Sequence, residues 1–325
     1  MSAAIYLEPM KALGVTDPPS GKWRCEIKFD GYRALSVLRK NSVKVWSRNH
    51  KSLAEDYPTI AAALRKIKCR SAVLDGEITA LDTQGRTRFQ LLQGRDLPGA
   101  DAPLIYYVFD LLHLDGESLL AQPIEARQAL LARLLKRPPP GVQVSPWFDL
   151  EPAELFAQAR QNGLEGIVVK TLGSVYQPGR RSGLWLKCKV SAEQELVIGG
   201  YTAPQNSRQY FGAILVGYYQ DGELLYAGKV GTGFDRALLE SLHGRFSKLA
   251  AAKCPFANLP IAKKPRFGNG MTAAEMRRVS WIKPSLVAQI KFAEWTHDGL
   301  LRQPVFLGLR KDKRAKDVVR EVAPA

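Results

Sequence analysis

Glu26-Ile27-Lys28-Phe29-Asp30-Gly31-Tyr32-Arg33 is the stretch on which the reading of this chain turns. Ile27 and Phe29 alternate with Glu26, Lys28 and Asp30, so a strand here places the three charged residues on one face. Asp30-Gly31 then supplies a tight turn. A charged row on one strand face, ending at a turn, suits the floor of a pocket. A lysine turned into such a pocket among other cations is expected to have a depressed pKa and to act as a nucleophile. Taken alone, the stretch fits an exposed strand face with an ordinary salt bridge equally well.

Outward from it, residues 33–38 and 43–46 also read as strands, with Lys40-Asn41 as a turn between them. Leu53, Tyr57, Ile60, Leu64 and Ile67 step by four and three, which predicts a helix over 52–68 capped by Ser52 with Glu55 three residues on. Strands follow at 71–81 and 104–111. A helix over 123–136 stops at Pro138-Pro139-Pro140-Gly141, and another over 151–162 closes on Gly163. Strands at 166–171 and 184–190 complete the first part. From about Ser191 the texture changes to barrel-like strands at 195–201, 212–219, 224–230 and 305–309, around a helix at 235–249. Residues 252–272 read as an irregular excursion rich in Pro, Gly and Lys.

Composition narrows the function. Hydrophobic residues are 46% and charged residues 24% of the 325, which fits a folded globular chain rather than disorder. No run approaches the ~18 apolar residues of a membrane span, and Met1–Met10 has no signal-peptide pattern. A cytoplasmic protein without a membrane partner is expected. Cys25, Cys69, Cys188 and Cys254 are too far apart for a zinc pair and read as reduced thiols. Lys plus Arg is 47 against 31 Asp plus Glu, a net of +16. Residues 1–190 carry 27 basic and 19 acidic groups, which leaves 20 and 12 for the rest, so each half has an excess of eight. Both halves therefore favour a polyanion such as nucleic acid.

Further charged clusters share the chemistry of the first. Lys187 and Lys189 alternate on one strand face. Glu165 is a carboxylate before a Gly that leads into an apolar strand. Leu-Asp-Gly-Glu occurs twice; at 74–77 it lies within a strand, whereas at 114–117 it reads as a turn. Gly228-Lys229-Val230-Gly231-Thr232-Gly233 lacks the order of a P-loop and reads as hairpin and loop.

In order along the chain stand Lys28-Phe29-Asp30-Gly31-Tyr32-Arg33, Ser47-Arg48-Asn49, Leu74-Asp75-Gly76-Glu77, Val108-Phe109-Asp110-Leu111-Leu112, Glu165-Gly166-Ile167-Val168-Val169-Lys170, Trp185-Leu186-Lys187-Cys188-Lys189 and Arg302-Gln303-Pro304-Val305-Phe306-Leu307-Gly308-Leu309-Arg310-Lys311-Asp312-Lys313. This series resembles the ATP-dependent DNA ligases of the covalent nucleotidyltransferase superfamily, over residues 28–313. A lone KxDG carries little weight; the ordered set is specific. The ending looks most like the ligase module of bacterial nonhomologous end-joining enzymes or a stand-alone relative.

The resemblance implies an α+β fold. Residues 1–190 would be an adenylation domain of antiparallel sheets with flanking helices, and 191–325 an OB-fold DNA-binding barrel, with a hinge near Ser191. Lys28 would take AMP from ATP, with Lys187 and Lys189 stabilising the α-phosphate and helping to deprotonate Lys28. Glu26 would help read the adenine edge, Phe109 would stack on the base, and Glu77 and Arg48 would contact ribose and phosphate. Arg33 joins the nucleotide-binding set, and Lys170 is a candidate phosphate contact. Glu165, with Glu77, would hold Mg²⁺ or Mn²⁺. Arg310, Asp312 and Lys313 would swing over the nucleotide and orient pyrophosphate. The short stretch ahead of Lys28 leaves no helical DNA-binding domain expected there, and ATP is favoured over NAD. The expected partner is nicked or broken duplex DNA, with Ku and an end-joining polymerase in an end-joining setting. A monomer in a bacterial cytoplasm, associated with the nucleoid, is expected. An RNA ligase, a GTP-using capping enzyme and an inactive DNA-binding clamp are the competing readings.

Overall fold

The computed structural model describes residues 5–40, 42–92, 102–204, 208–260 and 270–321. Contacts divide the chain into two compact units, parted between Val190 and Ser191.

The first unit runs β1 (Leu13–Val15), β2 (Trp23–Lys28), β3 (Tyr32–Arg39), β4 (Ser42–Ser47), α1 (Pro58–Leu64), β5 (Ser71–Ala80), β6 (Leu104–Leu114), β7 (Glu117–Ser118), α2 (Ile124–Leu134), β8 (Val142–Val144), β9 (Trp147–Phe148), α3 (Pro152–Gln161), β10 (Gly166–Thr171) and β11 (Trp185–Lys189). Two largely antiparallel sheets result. One has the order β1-β11-β10-β2-β9, the other β4-β3-β5-β6-β7 with β8 beside β6.

Period-two alternation decides which side chains each sheet buries. In the first sheet Cys25, Ile27, Ile167, Val169 and Cys188 turn toward Leu155 and Ala159 of α3. Burial pushes the free thiols of Cys25 and Cys188 up to about 11. In the second sheet Ala34, Leu74 and Tyr106 pack with Ile60 and Leu64 of α1 and Leu131 of α2. Its opposite face sends Leu35, Val37 and Val73 into a third cluster with Met10, Tyr176 and Trp185. Full burial of each such side chain contributes ~1.5–3 kcal/mol. These layers leave the charged face of β2, β10 and β11 on the side of the first sheet away from α3.

The helix expected over 52–68 is shorter. It begins at Pro58 with Tyr57 at its cap. Ser52 instead bridges Trp46, extending strand pairing. Proline lacks an N–H and biases the preceding residue away from helix, so the start is set there. Leu53 and Tyr57 still enter the core alongside Ile60 and Leu64; the periodicity identified the buried face but not the helix. Gly163 has φ +63° just after α3, the left-handed stop expected of it.

The second unit contains β12 (Ala192–Thr202), β13 (Ile214–Gln220), β14 (Glu223–Val230), α4 (Arg236–Ser247), β15 (Ala250–Ala251), α5 (Ala273–Met276), β16 (Val279–Phe292), β17 (Glu294–Trp295), β18 (Leu301–Arg302) and β19 (Val305–Leu309). The sheet order is β14-β13-β12-β16, with β15 and β19 both paired to β16. Asp235 caps α4 by accepting from Leu238 N at 2.8 Å. β16, the longest strand of the unit, was not expected. Pro284 sits within it, and an internal Pro argues against a strand. The pairing with β12 jumps from Leu286 to Trp281, so Pro284 falls where that ladder lapses and needs no donor. The expected irregular stretch 252–272 lies in part outside the described residues. Among the described residues, no helix is long and apolar enough to cross a membrane.

Candidate active site

Register across the first sheet assembles the site. Gly166 of β10 stands opposite Lys28 of β2 on one side and Lys189 of β11 on the other. One step along, Val168 stands between Glu26 and Lys187, and a further step puts Lys170 between Arg24 and Trp185. Three sequence-distant segments thus present their charged residues on one face. Gly166 is required at the centre. Its φ is +155°, and a Cβ there would lie 2.1 Å from the Cys188 carbonyl oxygen.

Lys28 Nζ donates to Glu165 Oε2 at 2.7 Å, and Lys189 Nζ lies 3.8 Å from Glu165 Oε1. The Lys28 side chain is 20% exposed and that of Glu165 only 6%. Burial favours the neutral amine of Lys28. The negative charges of Glu165, Glu77 and Asp30 outweigh it and hold the ammonium above the ordinary lysine range. The expected depression of this pKa is therefore not found: the largest charge effects on Lys28 come from carboxylates. Asp30 is itself fixed, accepting from Phe89 N at 2.9 Å. Glu77, on β5, stands opposite Arg33 in the second sheet. Glu117, of the other Leu-Asp-Gly-Glu, is exposed in a two-residue strand after the Asp115-Gly116 turn.

A second group surrounds Phe109. Arg33 makes two 2.6 Å bonds to the buried carboxylate of Asp75 and lies 4.7 Å from the Phe109 ring. Tyr176 Oη donates to Asp75 Oδ2 at 2.6 Å and accepts from Met10 N at 2.9 Å. Lys170, 1% exposed, pairs with Glu26 Oε1 at 2.8 Å and lies 4.6 Å from Phe109 and 4.4 Å from Trp185. Expected on phosphate, Lys170 is instead the buried counter-ion of Glu26, because β10 has already turned its alternate side chain into the space beneath Phe109. Burial raises the pKa of Glu26, and Lys170 and Gln128 oppose that rise.

Arg48 follows β4, and its carbonyl accepts from Tyr6 Oη at 2.8 Å. Arg310, Asp312 and Lys313 belong to the second unit. Arg310 grips Asp312 with bonds of 3.0 and 2.9 Å, and Lys313 lies 3.3 Å from Glu195.

With this geometry established, comparison with known proteins is informative. The model of the ATP dependent DNA ligase domain matches residues 8–189, and that of the ATP dependent DNA ligase C terminal region matches 207–313. The chain belongs to the family of ATP-dependent DNA ligases. Its first unit is a nucleotidyltransferase domain and its second an OB-fold. It is 38% identical over 320 residues to the multifunctional non-homologous end joining protein LigD of Pseudomonas aeruginosa, covering 97% of this chain and 37% of that protein. It is 35% identical over 303 residues to a LigD of Mycobacterium tuberculosis, covering 93% and 38%. The chain therefore spans well under half of these relatives. A solved mycobacterial DNA ligase D complexed with ATP and MES superposes with a TM-score of 0.68 at 34% identity, over 97% of this chain and 98% of that one.

Within this ligase fold, sequence reasoning overlooked several participants. Asp75 and Trp185 lie inside quoted motifs yet were assigned no part. Asp75 was legible as a buried acid on the strand beside Arg33. Gln128 and Tyr176 lie on α2 and in a loop with no local signal; only tertiary packing brings them in.

Proposed function

We propose that this chain is a nick-sealing ligase that uses Lys28 as its nucleophile. The observation that carries the proposal is the row Lys28–Glu165–Lys189, closed around Gly166. In the first step Lys28 Nζ attacks the α-phosphorus of ATP; an N–P bond forms and the P–O bond to pyrophosphate breaks. Lys28 must first give up one proton to solvent, which reaches its one-fifth exposed side chain, and its bond to Glu165 Oε2 opposes that loss. Lys187 and Lys189 supply positive charge for the transferred phosphoryl group, since such transfer rests on positioning and charge neutralisation. The donor set fits a divalent cation, because Glu165 and Asp30 bring hard carboxylate oxygens within 4.8 Å of each other beside the attacking amine, with the charge of Glu77 also acting there. Bound there, Mg²⁺ or Mn²⁺ would neutralise phosphate charge and weaken the hold of these carboxylates on the Lys28 proton. Phe109 and Glu26 receive the adenine, Glu77 and Arg48 the ribose and phosphates, and Arg33 belongs to the nucleotide-binding set. AMP then passes to a DNA 5′-phosphate, and a 3′-hydroxyl attacks and expels AMP.

Broken duplex DNA in end joining, Ku as a partner and a nucleoid-associated cytoplasmic location belong to the same proposal. The end-joining names of the LigD relatives support it. The test begins by stripping the protein with pyrophosphate, then adds α-labelled ATP with Mg²⁺ and denatures. Label is expected on the native chain, chased by nicked DNA, and absent from Lys28→Ala. A labelled Lys28→Ala protein, or an unlabelled native one, overturns the proposal.

A further inference from the structure

Gln128 has no part in the chemistry described so far, yet its placement is unusual. Its side chain, on α2, is buried, the residue being 7% exposed. Its Nε2 donates to Glu26 Oε1 at 2.8 Å across 102 residues of sequence. Its own Oε1 is buried with no hydrogen-bond partner among the described residues. A buried acceptor left without a partner is costly, and what the amide gains against that cost is the bond to Glu26. Lys170 Nζ reaches the same carboxylate oxygen at 2.8 Å. Both donors thus converge on Glu26 Oε1.

Glu26 lies two residues before Lys28 on the same strand face, about 7 Å away along β2. It stands opposite Val168, which is less buried than its neighbours Ile167 and Val169. Phe109 lies over the Lys170 ammonium that Glu26 binds. With Phe109 and Glu26 receiving the adenine, as proposed, the edge of the base meets Glu26. Adenine carries an amino group at position 6, a donor, whereas guanine and hypoxanthine carry an oxo group, an acceptor. An ionised carboxylate accepts only; a protonated one can donate.

Resting on the reading of Lys28 as the nucleotide acceptor, we propose that Gln128 is a positioning residue that selects adenine: with Lys170 it pins Glu26 Oε1 and leaves Oε2 as a fixed acceptor that takes a 6-amino purine and rejects a 6-oxo purine. The residue acts through Glu26 and touches no reacting atom. Burial pushes Glu26 toward its neutral form; Lys170 opposes this most and Gln128 adds to it, so without Gln128 the carboxyl is held by Lys170 alone and is less firmly fixed.

The experiment compares covalent labelling of the full chain by ATP and by inosine triphosphate, for the native protein, Gln128→Met and Gln128→Glu. Met keeps the volume without the amide; Glu keeps the shape and replaces the donor by an acceptor. Loss of one such bond is expected to raise KM for ATP about tenfold, the equivalent of ~1.4 kcal/mol. The ATP to inosine triphosphate preference should narrow by about the same factor in both variants, with labelling at saturating ATP little changed. If KM for the two nucleotides rises in parallel, with the preference unchanged, Gln128 is structural and the proposal is overturned. Should Gln128→Met not fold, the isosteric Gln128→Glu alone decides between these outcomes. Failure of the native protein to take label from ATP is a separate result, which removes the nucleophile reading itself.

Discussion

Two ion pairs in the first unit invite comparison. Arg127 and Asp110 are both fully buried; two bonds of 2.7 and 2.8 Å join them, and Arg127 also donates to the carbonyls of Gln122 and Ser174. Lys28 and Glu165 share one bond, and Lys28 keeps a fifth of its side chain exposed. In the first pair the guanidinium makes four bonds, two to the carboxylate and two to carbonyls, and little remains to be recruited. In the second, a single amine faces several carboxylates, an imbalance that a phosphate and a cation can relieve. Completeness marks the structural pair, incompleteness the chemical one.

The comparison is broken most severely by deleting one member of each. Lys28→Ala should lower lysine–AMP formation below detection, a loss of at least ~10⁴-fold since the bond-forming atom is gone, while thermal melting stays near that of the native protein. Arg127→Ala should do the reverse. It strands a buried carboxylate, with an expected cost of ~3–5 kcal/mol, read as a large drop in melting temperature. If Arg127→Ala melts normally, completeness is not the mark of a structural pair.

Gly166→Ala tests whether the chemical pair needs its spacing. The new methyl meets the Cys188 carbonyl, so β10 and β11 must part. A shift of ~1 Å at a reacting group lowers rate by ~100-fold, measurable as slower labelling at saturating ATP. The charge on Lys28 sharpens the contrast further. Because neighbouring carboxylates raise its pKa, less free amine exists at a given alkaline pH than a lysine in the ordinary range would offer; Lys22, exposed in the same unit, is the accessible reference. Brief acylation of the unliganded protein at pH 9, read by mass spectrometry, should modify Lys28 several-fold more slowly than Lys22. Glu165→Gln removes a charge that favours the ammonium, so its Lys28 should react faster. The stabilising effect of this raised pKa is fully present below the ordinary lysine range and fades only as pH climbs through the folded value. The smallest effect is expected from Tyr176→Phe. It removes one bond to Asp75 and one from Met10 N, ~1–2 kcal/mol of stability, and should raise KM for ATP a few-fold through Arg33.

The legibility of the sequence followed locality. Strand alternation exposed Glu26, Lys28, Lys187 and Lys189 as face-sharing residues, because period two is written in adjacent letters. It could not show that Gly166 joins the two strands, since pairing partners lie 138 and 23 residues apart in number, as the register Lys28–Gly166–Lys189 makes plain. The sign of the Lys28 shift was misjudged for the same reason: the lysines were visible in one motif, whereas the field is set by Glu165, Glu77 and Asp30, drawn from three. Pro284 concealed β16 because the local rule against an internal proline is sound and only a lapse in a distant ladder suspends it.

The shared register has one more consequence. A slip of β10 by one residue against its neighbours would carry Glu165 and the whole charged row out of alignment, and would seat apolar side chains where ions belong. A misaligned chain would be inert rather than slow. The number of AMP groups taken up per chain then counts correctly woven molecules, so adduct stoichiometry serves as an assay of folding fidelity in any preparation of this protein.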